Sequence, residues 1–90
     1  MAKHLVVFTM VGCPFCQDFK ELLKGDNIDF VDMDIHENPE EYEMFSQITE
    51  NDLVPAFMIV DEEDNSAQYF APDRDYEELD QAIKIIKGKF

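Results

Sequence analysis

The most restrictive feature of this chain is a pair of cysteines placed between a strand pattern and a helix pattern. The apolar run 5–8 (LVVF) leads into the segment 12–16 (GCPFC), and a helical pattern begins near Pro14. Cys13 and Cys16 are the only cysteines of the sequence. Two cysteines with this spacing at a strand-to-helix turn are typical of thiol–disulfide exchange. A helix that begins near Pro14 would also point free backbone N–H groups at Cys13 and favour its thiolate.

Three other roles for the cysteines fit the sequence less well. A structural disulfide across two residues closes too short a loop to constrain the unfolded chain much. A zinc site would need about two further ligands, and His4 and His36 lack the paired spacing of metal ligands. Two inert, buried thiols conflict with Gly12 and Pro14, which indicate an exposed turn. Redox exchange is therefore the favoured interpretation, and no metal site is predicted.

Length and apolar content place the chain among small globular proteins. With 90 residues and a hydrophobic fraction of 46%, we expect one folded domain over residues 1–90. No apolar run approaches the roughly 18 residues of a membrane span. The apolar stretch after His4 ends at Thr9, which does not fit a signal peptide. We therefore expect a soluble, cytoplasmic protein in a reducing compartment, where a lone cysteine pair is catalytic more often than structural.

The charge of the chain restricts its partners. There are 21 aspartates and glutamates against 7 lysines and arginines, which gives a formal net charge of −14. Such a surface repels nucleic acid and anionic membranes, so neither is expected as a partner. A basic protein would be attracted and its association accelerated. The alternative, that the acidic residues serve only solubility, stays open.

Four strands can be placed along the chain. Residues 5–8 are apolar throughout and predict a strand that is buried on both faces, whereas residues 28–35 mostly alternate and predict a more exposed one. Residues 57–60 predict a third, buried strand. An acidic turn over 61–65 separates it from a fourth strand at 67–70, which returns antiparallel.

Three helices alternate with these strands. The first begins at about Pro14 and ends at Gly25. The second has Asn38 as its cap, a proline in its first turn, and Glu41 completing a capping-box-like pattern. The last begins near Asp73. The apolar residues expected to face the core from these helices are Phe19, Leu22, Leu23, Tyr42, Phe45, Ile48, Tyr76, Leu79, Ile83 and Ile86.

The resulting order, β-α-β-α-β-β-α, predicts an α/β fold. The alternating first half calls for parallel strands joined by crossovers, and the second half is a hairpin with a covering helix. A central, mixed sheet of about four strands with helices on both faces buries every apolar face found above. The aromatic and methionine stripes are interpreted as core and not as cofactor contacts.

The motif Cys13-Pro14-Phe15-Cys16 at a helix start, Leu53-Val54-Pro55 before the third strand, and this element order resemble the glutaredoxins of the thioredoxin fold. The resemblance spans nearly the whole chain. It implies that the Val54–Pro55 peptide bond is cis and lies beside the cysteines. It also implies that the backbone of Val54 pairs with the bound substrate like an added strand.

The same resemblance supplies further site residues and a mechanism. Pro14, Phe15 and Asp73 become candidate substrate-binding residues, although Asp73 at the predicted helix start also suits a cap. Cys13 would attack a substrate disulfide, and Cys16 would resolve the mixed disulfide that forms. Glutathione would then reduce the oxidised pair, and no tightly bound cofactor is expected.

The sequence departs from the glutaredoxin pattern where the family contacts glutathione. Met10 stands where glutaredoxins usually carry a lysine, and Asp52 stands where a basic or polar residue often precedes the proline motif. The family's Gly-Gly before the last helix has no clear counterpart, and the bulky segment 69–73 occupies that region. Lys20, about one turn along the first helix, is predicted to be a solvated surface residue. A thioredoxin reductase is therefore an alternative electron donor.

These observations predict a monomeric dithiol oxidoreductase that reduces protein or mixed disulfides. By resemblance, ribonucleotide reductase is a candidate recipient of its electrons. A different class of function stays open: a thioredoxin-fold module that docks on a basic protein through its acidic surface, with incidental cysteines. An iron–sulfur carrier with Cys13 as ligand is disfavoured, because glutaredoxins of that kind generally need glutathione and usually lack a proline after the first cysteine.

Overall fold

Four strands and three helices follow one another in the order that the sequence predicts. A computed structural model describes residues 3–89 of the chain. Its elements are β1 (Lys3–Thr9), α1 (Pro14–Gly25), β2 (Val31–Asp34), α2 (Pro39–Thr49), β3 (Ala56–Asp61), β4 (Ser66–Phe70) and α3 (Leu79–Lys89). None of these helices combines the length and the apolar content that crossing a membrane requires.

The strands form one mixed sheet in the order β2-β1-β3-β4. β1 runs parallel to β2, as the predicted crossover through α1 requires, and β3 and β4 form the predicted antiparallel hairpin. β1 and β3 pair antiparallel, with Phe8 opposite Ala56. The α/β class and the four-stranded mixed sheet are confirmed.

β1 is the buried centre of the sheet because helices cover both of its faces. Side chains alternate across a strand, so Leu5 and Val7 point to one face and Val6 and Phe8 to the other. Leu5 and Val7 belong to a cluster that the buried residues of α1 and α3 complete. Val6 and Phe8 pack with Phe45 of α2 on the opposite face, where the Phe8 and Phe45 ring centroids are 4.7 Å apart.

Two predicted core residues of the helices are exposed. The buried side chains of α1 are Cys16, Phe19 and Leu23, a narrow stripe that leaves Leu22 on the flank with 43% of its surface exposed. On α2 the buried residues are Phe45 and Thr49, one turn apart, which rotates Ile48 outward to 48% exposure. In both helices the apolar pattern is wider than the stripe that the sheet covers.

Two predicted features of the loops also differ. β2 is limited to Val31–Asp34, because Ile28 and Phe30 pack against the core from the preceding loop. At the start of α2, the side chain of Asn38 makes no capping hydrogen bond and donates to the carbonyl oxygen of Asp34 at 3.0 Å. The predicted capping-box-like pattern is therefore not formed.

The last helix begins six positions later than predicted, at Leu79 instead of Asp73. The segment after β4 turns sharply, because the N–H groups of Arg74 and Asp75 both donate to the carbonyl oxygen of Ala71. Asp73 has a left-handed backbone (φ 66°), which a helix cannot continue. Tyr76 is thus a buried residue of the loop before α3 and not a residue of the helix.

Candidate active site

Cys13 lies where the loop after β1 becomes α1. Its backbone is extended (φ −98°, ψ 108°), and Pro14 is the first residue of the helix. The backbone N–H of Cys16 donates a hydrogen bond to Cys13 Sγ at 3.2 Å, so the sulfur caps the helix. The side chain is half-buried. The sulfur thus lies at the helix N-terminus, and its side chain is not fully enclosed, so a substrate disulfide can reach it.

Cys16 lies one turn further along α1 and faces the interior. Only 1% of its surface is exposed. Burial raises the pKa of Cys16 to about 12, and the hydrogen bond with the Cys13 side chain contributes to the increase. At neutral pH its thiol is therefore protonated. The two cysteines therefore differ in exposure: Cys13 is partly accessible and Cys16 is buried.

The loop before Cys13 is the exposed turn that the sequence predicts. Gly12 has a left-handed backbone (φ 82°), where a side chain would be strained. The N–H of Cys13 donates to the carbonyl oxygen of Met10 at 3.2 Å and closes the turn. Val11 and Phe15, on either side of the reactive sulfur in the sequence, expose 82% and 65% of their surfaces. Apolar side chains in such positions are typical of surfaces that bind other proteins.

The Val54–Pro55 peptide bond is cis, as the resemblance implies. β3 begins at the next residue, Ala56, which pairs with Phe8 near the end of β1. Pro55 therefore lies level with the strand end from which the cysteine loop departs. The backbone N–H and C=O of Val54 make no hydrogen bond within residues 3–89. An extended substrate segment could pair with these groups in the manner of an added strand.

A groove of about 430 Å³ lies between the start of α1, the Val54–Pro55 segment and the start of α3. Phe15, Val54 and Pro55, three of the predicted substrate-binding residues, line it together. Pro14 is exposed next to it in the sequence, at the first position of α1. The other lining residues are Asp18, Pro72, Tyr76, Glu77, Glu78, Leu79 and Asp80.

Asp73 is not among the residues that line this groove. Because α3 begins at Leu79, Asp73 is not the cap of that helix either. Its N–H donates to the carbonyl oxygen of Tyr76 at 2.8 Å within the turn. The carboxylate that holds the turn belongs to Asp75, whose Oδ2 accepts hydrogen bonds from the N–H of Ala71 and from Arg74.

Lys20 is not the solvated surface residue that the sequence predicts. Its Nζ lies 3.0 Å from Asp32 Oδ2, and only 22% of the Lys20 side chain is exposed. The Thr9 hydroxyl donates to the other oxygen of Asp32 at 2.6 Å. Partial burial would raise the pKa of Asp32, but these hydrogen bonds from Thr9 and Lys20, together with the charge of Lys20, hold it below its ordinary value. Sequence spacing alone could not pair α1 with β2 in this way.

Within the described residues, histidine, cysteine, aspartate and glutamate side chains do not form a group of three or more that could hold a metal ion. The chemistry that the geometry supports is the exchange of thiols and disulfides at Cys13 and Cys16.

Comparison with known proteins identifies the family. The family model for glutaredoxin matches residues 5–63, a segment that includes both cysteines and the Val54–Pro55 bond. The chain belongs to the glutaredoxin family. An uncharacterized glutaredoxin-like 8.6 kDa protein in the rubredoxin operon of Clostridium pasteurianum is 34% identical over 53 residues, which cover 59% of this chain and 71% of that relative. With its Cys13–Cys16 pair, this member of the family is a thiol redox protein.

Sequence reasoning missed two components of the site. The spacing of Tyr76 predicts a place on a helix face, whereas its hydroxyl contacts Pro55 from a loop. The carboxylates of the groove come from α1 and from the segment 77–80 (EELD), which in the sequence resembles an ordinary solvated helix start. The excess of acidic residues was visible in the sequence, but its concentration beside the cysteines was not.

Proposed function

We propose that this glutaredoxin-family protein reduces disulfide bonds in other proteins through a two-cysteine exchange. The observation that carries the proposal is the pairing of a partly exposed Cys13, whose sulfur accepts a hydrogen bond from the Cys16 N–H, with a buried Cys16 thiol one helical turn further along. The exposed side chains of Val11 and Phe15 support a protein as the substrate, because they offer an apolar contact surface around the sulfur.

The exchange proceeds in two steps. The Cys13 thiolate attacks one sulfur of the substrate disulfide, forms a mixed disulfide and releases the other sulfur as a thiolate. The Cys16 sulfur then attacks Cys13 Sγ, gives up its proton to a departing thiolate and releases the second substrate sulfur. The substrate gains two electrons from the cysteines, one proton from Cys16 and one proton from solvent, and becomes two thiols, while Cys13 and Cys16 become a disulfide.

The first step also prepares Cys16 for the second. Burial is the largest cause of the raised pKa of Cys16, but the hydrogen bond and the charge of Cys13 contribute to it as well. The contribution from the charge of Cys13 disappears once its sulfur is bonded to the substrate. The Cys16 thiol therefore becomes more acidic in the mixed disulfide, which is the state in which it must react.

We place this protein in the cytoplasm, where one of two electron donors would reduce the disulfide between Cys13 and Cys16. Either donor would supply two electrons. Glutathione is the reductant that the family resemblance suggests. A thioredoxin reductase is the second candidate, supported by Met10 and Asp52 in place of the residues that favour an anionic tripeptide. The resemblance suggests ribonucleotide reductase as a recipient of electrons. It is one candidate among the proteins whose disulfides this protein would reduce.

A coupled assay tests the proposal. NADPH consumption is followed while the protein reduces insulin disulfides, once with glutathione and glutathione reductase and once with thioredoxin reductase alone. We expect turnover in at least one assay, none with Cys13→Ser, and accumulation of a trapped mixed disulfide with Cys16→Ser. If the wild type is as inactive as Cys13→Ser in both assays and also in a single turnover of the pre-reduced protein, the proposal is wrong.

A further inference from the structure

The groove beside the reactive cysteine has an apolar floor and an acidic rim. Phe15, Val54 and Pro55 contribute apolar surface next to the cysteine loop, and four carboxylates surround it: Asp18 from α1, Glu77, Glu78, and Asp80 from α3. In the described part of the chain, no lysine, arginine or histidine lines this groove. The rim therefore carries a concentrated negative charge at neutral pH.

None of these four carboxylates is neutralised by an ion pair within residues 3–89. The basic residue nearest in sequence on the α1 side, Lys20, pairs with Asp32. On the side of β4, Arg74 pairs with Asp75 at 2.7 Å and also donates to the carbonyl oxygen of Tyr69. Lys20 and Arg74 are thus committed to other carboxylates, and within the described residues the four carboxylates of the groove keep their charge without an ion pair.

The backbone donors at the start of α3 are also occupied. The N–H groups of Glu77 and Glu78 donate to Gln81 Oε1 at 2.9 and 3.1 Å. A helix N-terminus ordinarily attracts an anion through such free N–H groups. Here the Gln81 side chain already accepts from these N–H groups. An anionic ligand would have to displace Gln81 and also approach the carboxylates of Glu77 and Glu78.

We propose that this groove selects disulfide substrates that carry lysine or arginine next to the reactive cysteine. The inference rests on the proposed function, since it assigns the substrate class of the same site. A substrate segment that bonds to Cys13 and pairs with the backbone of Val54 brings the residues flanking its own cysteine over the groove. Cationic side chains there meet the unpaired carboxylates, whereas glutamate or aspartate is repelled.

Three synthetic substrates test the selection. Each is a disulfide-linked homodimer of one short peptide whose single cysteine is flanked by lysines, by glutamines or by glutamates. Pre-reduced protein is mixed with each peptide in single turnover, quenched with acid and analysed by chromatography, so that no reductase is needed. Each rate constant is divided by the rate constant of the same peptide with dithiothreitol, a neutral thiol, which removes differences in the intrinsic reactivity of the peptides.

We expect the normalised rate constant to decrease from the lysine to the glutamine to the glutamate peptide. The two extremes should differ by about tenfold at low ionic strength, and added salt should narrow this ratio, because exposed charges are screened. A variant that combines Asp18→Asn, Glu77→Gln and Asp80→Asn should lower the ratio at least about threefold.

A matched variant removes three charges at the opposite end of the sheet, with Asp29→Asn, Glu63→Gln and Asp64→Asn. It should keep the ratio of the wild type. An equal loss in both triple variants would overturn the groove as the cause of selection, since net charge alone would then explain it.

The remaining outcomes separate the two proposals. If the wild type reduces all three peptides with equal normalised rate constants, the selection is wrong and the disulfide reductase activity stands. If the wild type reduces none of them faster than Cys13→Ser does, the reductase activity fails, and the selection fails with it.

Discussion

The hydroxyl of Tyr76 donates a hydrogen bond to the backbone carbonyl oxygen of Pro55 at 2.5 Å, across 21 positions of the chain. Both residues are buried. The Tyr76 ring stacks on Phe57 with a centroid distance of 5.6 Å, so packing fixes the position of the hydroxyl. This contact joins the turn before α3 to the segment that lies beside the cysteine loop, and it thereby connects two walls of the groove.

Tyr76→Phe should destabilise the protein by about 1–3 kcal/mol, because it leaves the buried carbonyl oxygen of Pro55 without a donor. The ring packing on Phe57 is retained, so the loss reports the hydrogen bond. Urea denaturation of the reduced protein measures it. Tyr69→Phe serves as the control, since the Tyr69 side chain is only partly buried and its hydroxyl makes no hydrogen bond within residues 3–89. Equal stability of Tyr76→Phe and the wild type would contradict this role.

Iodoacetamide should modify Cys13 at least about tenfold faster than Cys16 in the native, reduced protein at neutral pH. Cys13 is half-exposed at the helix start, whereas Cys16 is buried and its pKa is raised by that burial. Mass spectrometry of proteolytic peptides over time gives both rates. In urea the two rates should converge, because the difference depends on the fold. Comparable rates in the native protein would argue against the proposed roles.

Stability of the reduced protein should fall in alkaline solution because of Cys16. Its pKa is raised from 9.0 in an ordinary thiol to about 12 in the folded state, so the folded protein binds this proton more tightly than the unfolded chain does. The stabilisation is fully present below about pH 9 and decreases as the pH rises toward the folded pKa, by about 1 kcal/mol per pH unit. Urea denaturation at several pH values should show this slope for the wild type and a flatter one for Cys16→Ala. Parallel slopes would refute the assignment.

Asp32→Asn should lower the free energy of unfolding by about 1 kcal/mol at neutral pH, since Asp32 accepts hydrogen bonds from Thr9 and Lys20. The loss is small because 43% of the Asp32 side chain is exposed, and solvent weakens its ion pair with Lys20. The pKa of Asp32 is lowered in the folded state. Its stabilisation is therefore present above the unfolded pKa of about 4 and is lost as the pH falls. The difference from the wild type in urea denaturation should shrink in acid. Asp29→Asn, an exposed change of the same charge, should have little effect at either pH.

Gln81→Ala should cost about 1 kcal/mol, because the N–H groups of Glu77 and Glu78 lose the acceptor that caps the start of α3. Gln81→Glu should retain most of the stability, since it keeps an acceptor oxygen and places negative charge at a helix N-terminus. Thermal and urea denaturation compare the three proteins. Equal losses in the two variants would contradict the cap, since Gln81→Glu keeps both the acceptor oxygen and nearly the same side-chain shape.

The local parts of the site could be predicted from sequence because the chemistry depends on residues close together in the chain. The apolar run of β1, the left-handed Gly12, Pro14 at the helix start and the two-residue spacing of the cysteines all act within one strand-turn-helix unit. A buried strand and a helix start are governed by period and by capping, which short segments express fully. For the same reason the element order and the β3–β4 hairpin were correct.

The predicted start of α3 is wrong because the same apolar spacing fits two backbone conformations, a longer helix or a loop followed by a shorter helix. Tyr76, Leu79, Ile83 and Ile86 have helical spacing, yet Tyr76 is buried from the turn that Asp75 and the carbonyl of Ala71 hold. An apolar residue at helical spacing indicates that its side chain is buried. It does not specify whether the backbone at that residue is helical. The exposure of Leu22 and Ile48 has a similar origin, since the width of the stripe that the sheet covers is not encoded in the helix.

The sequence by itself determined that this protein is an α/β thiol redox protein with Cys13 as the accessible cysteine, because those properties follow from spacing within one short segment. Only the tertiary structure decided which distant groups surround that segment. It paired Lys20 with Asp32, brought Tyr76 to Pro55, and gathered carboxylates of α1 and α3 at one groove. The reason is physical: charge and hydrogen bonding act over a few ångströms in space, and the chain reaches those distances only after the sheet and helices have packed.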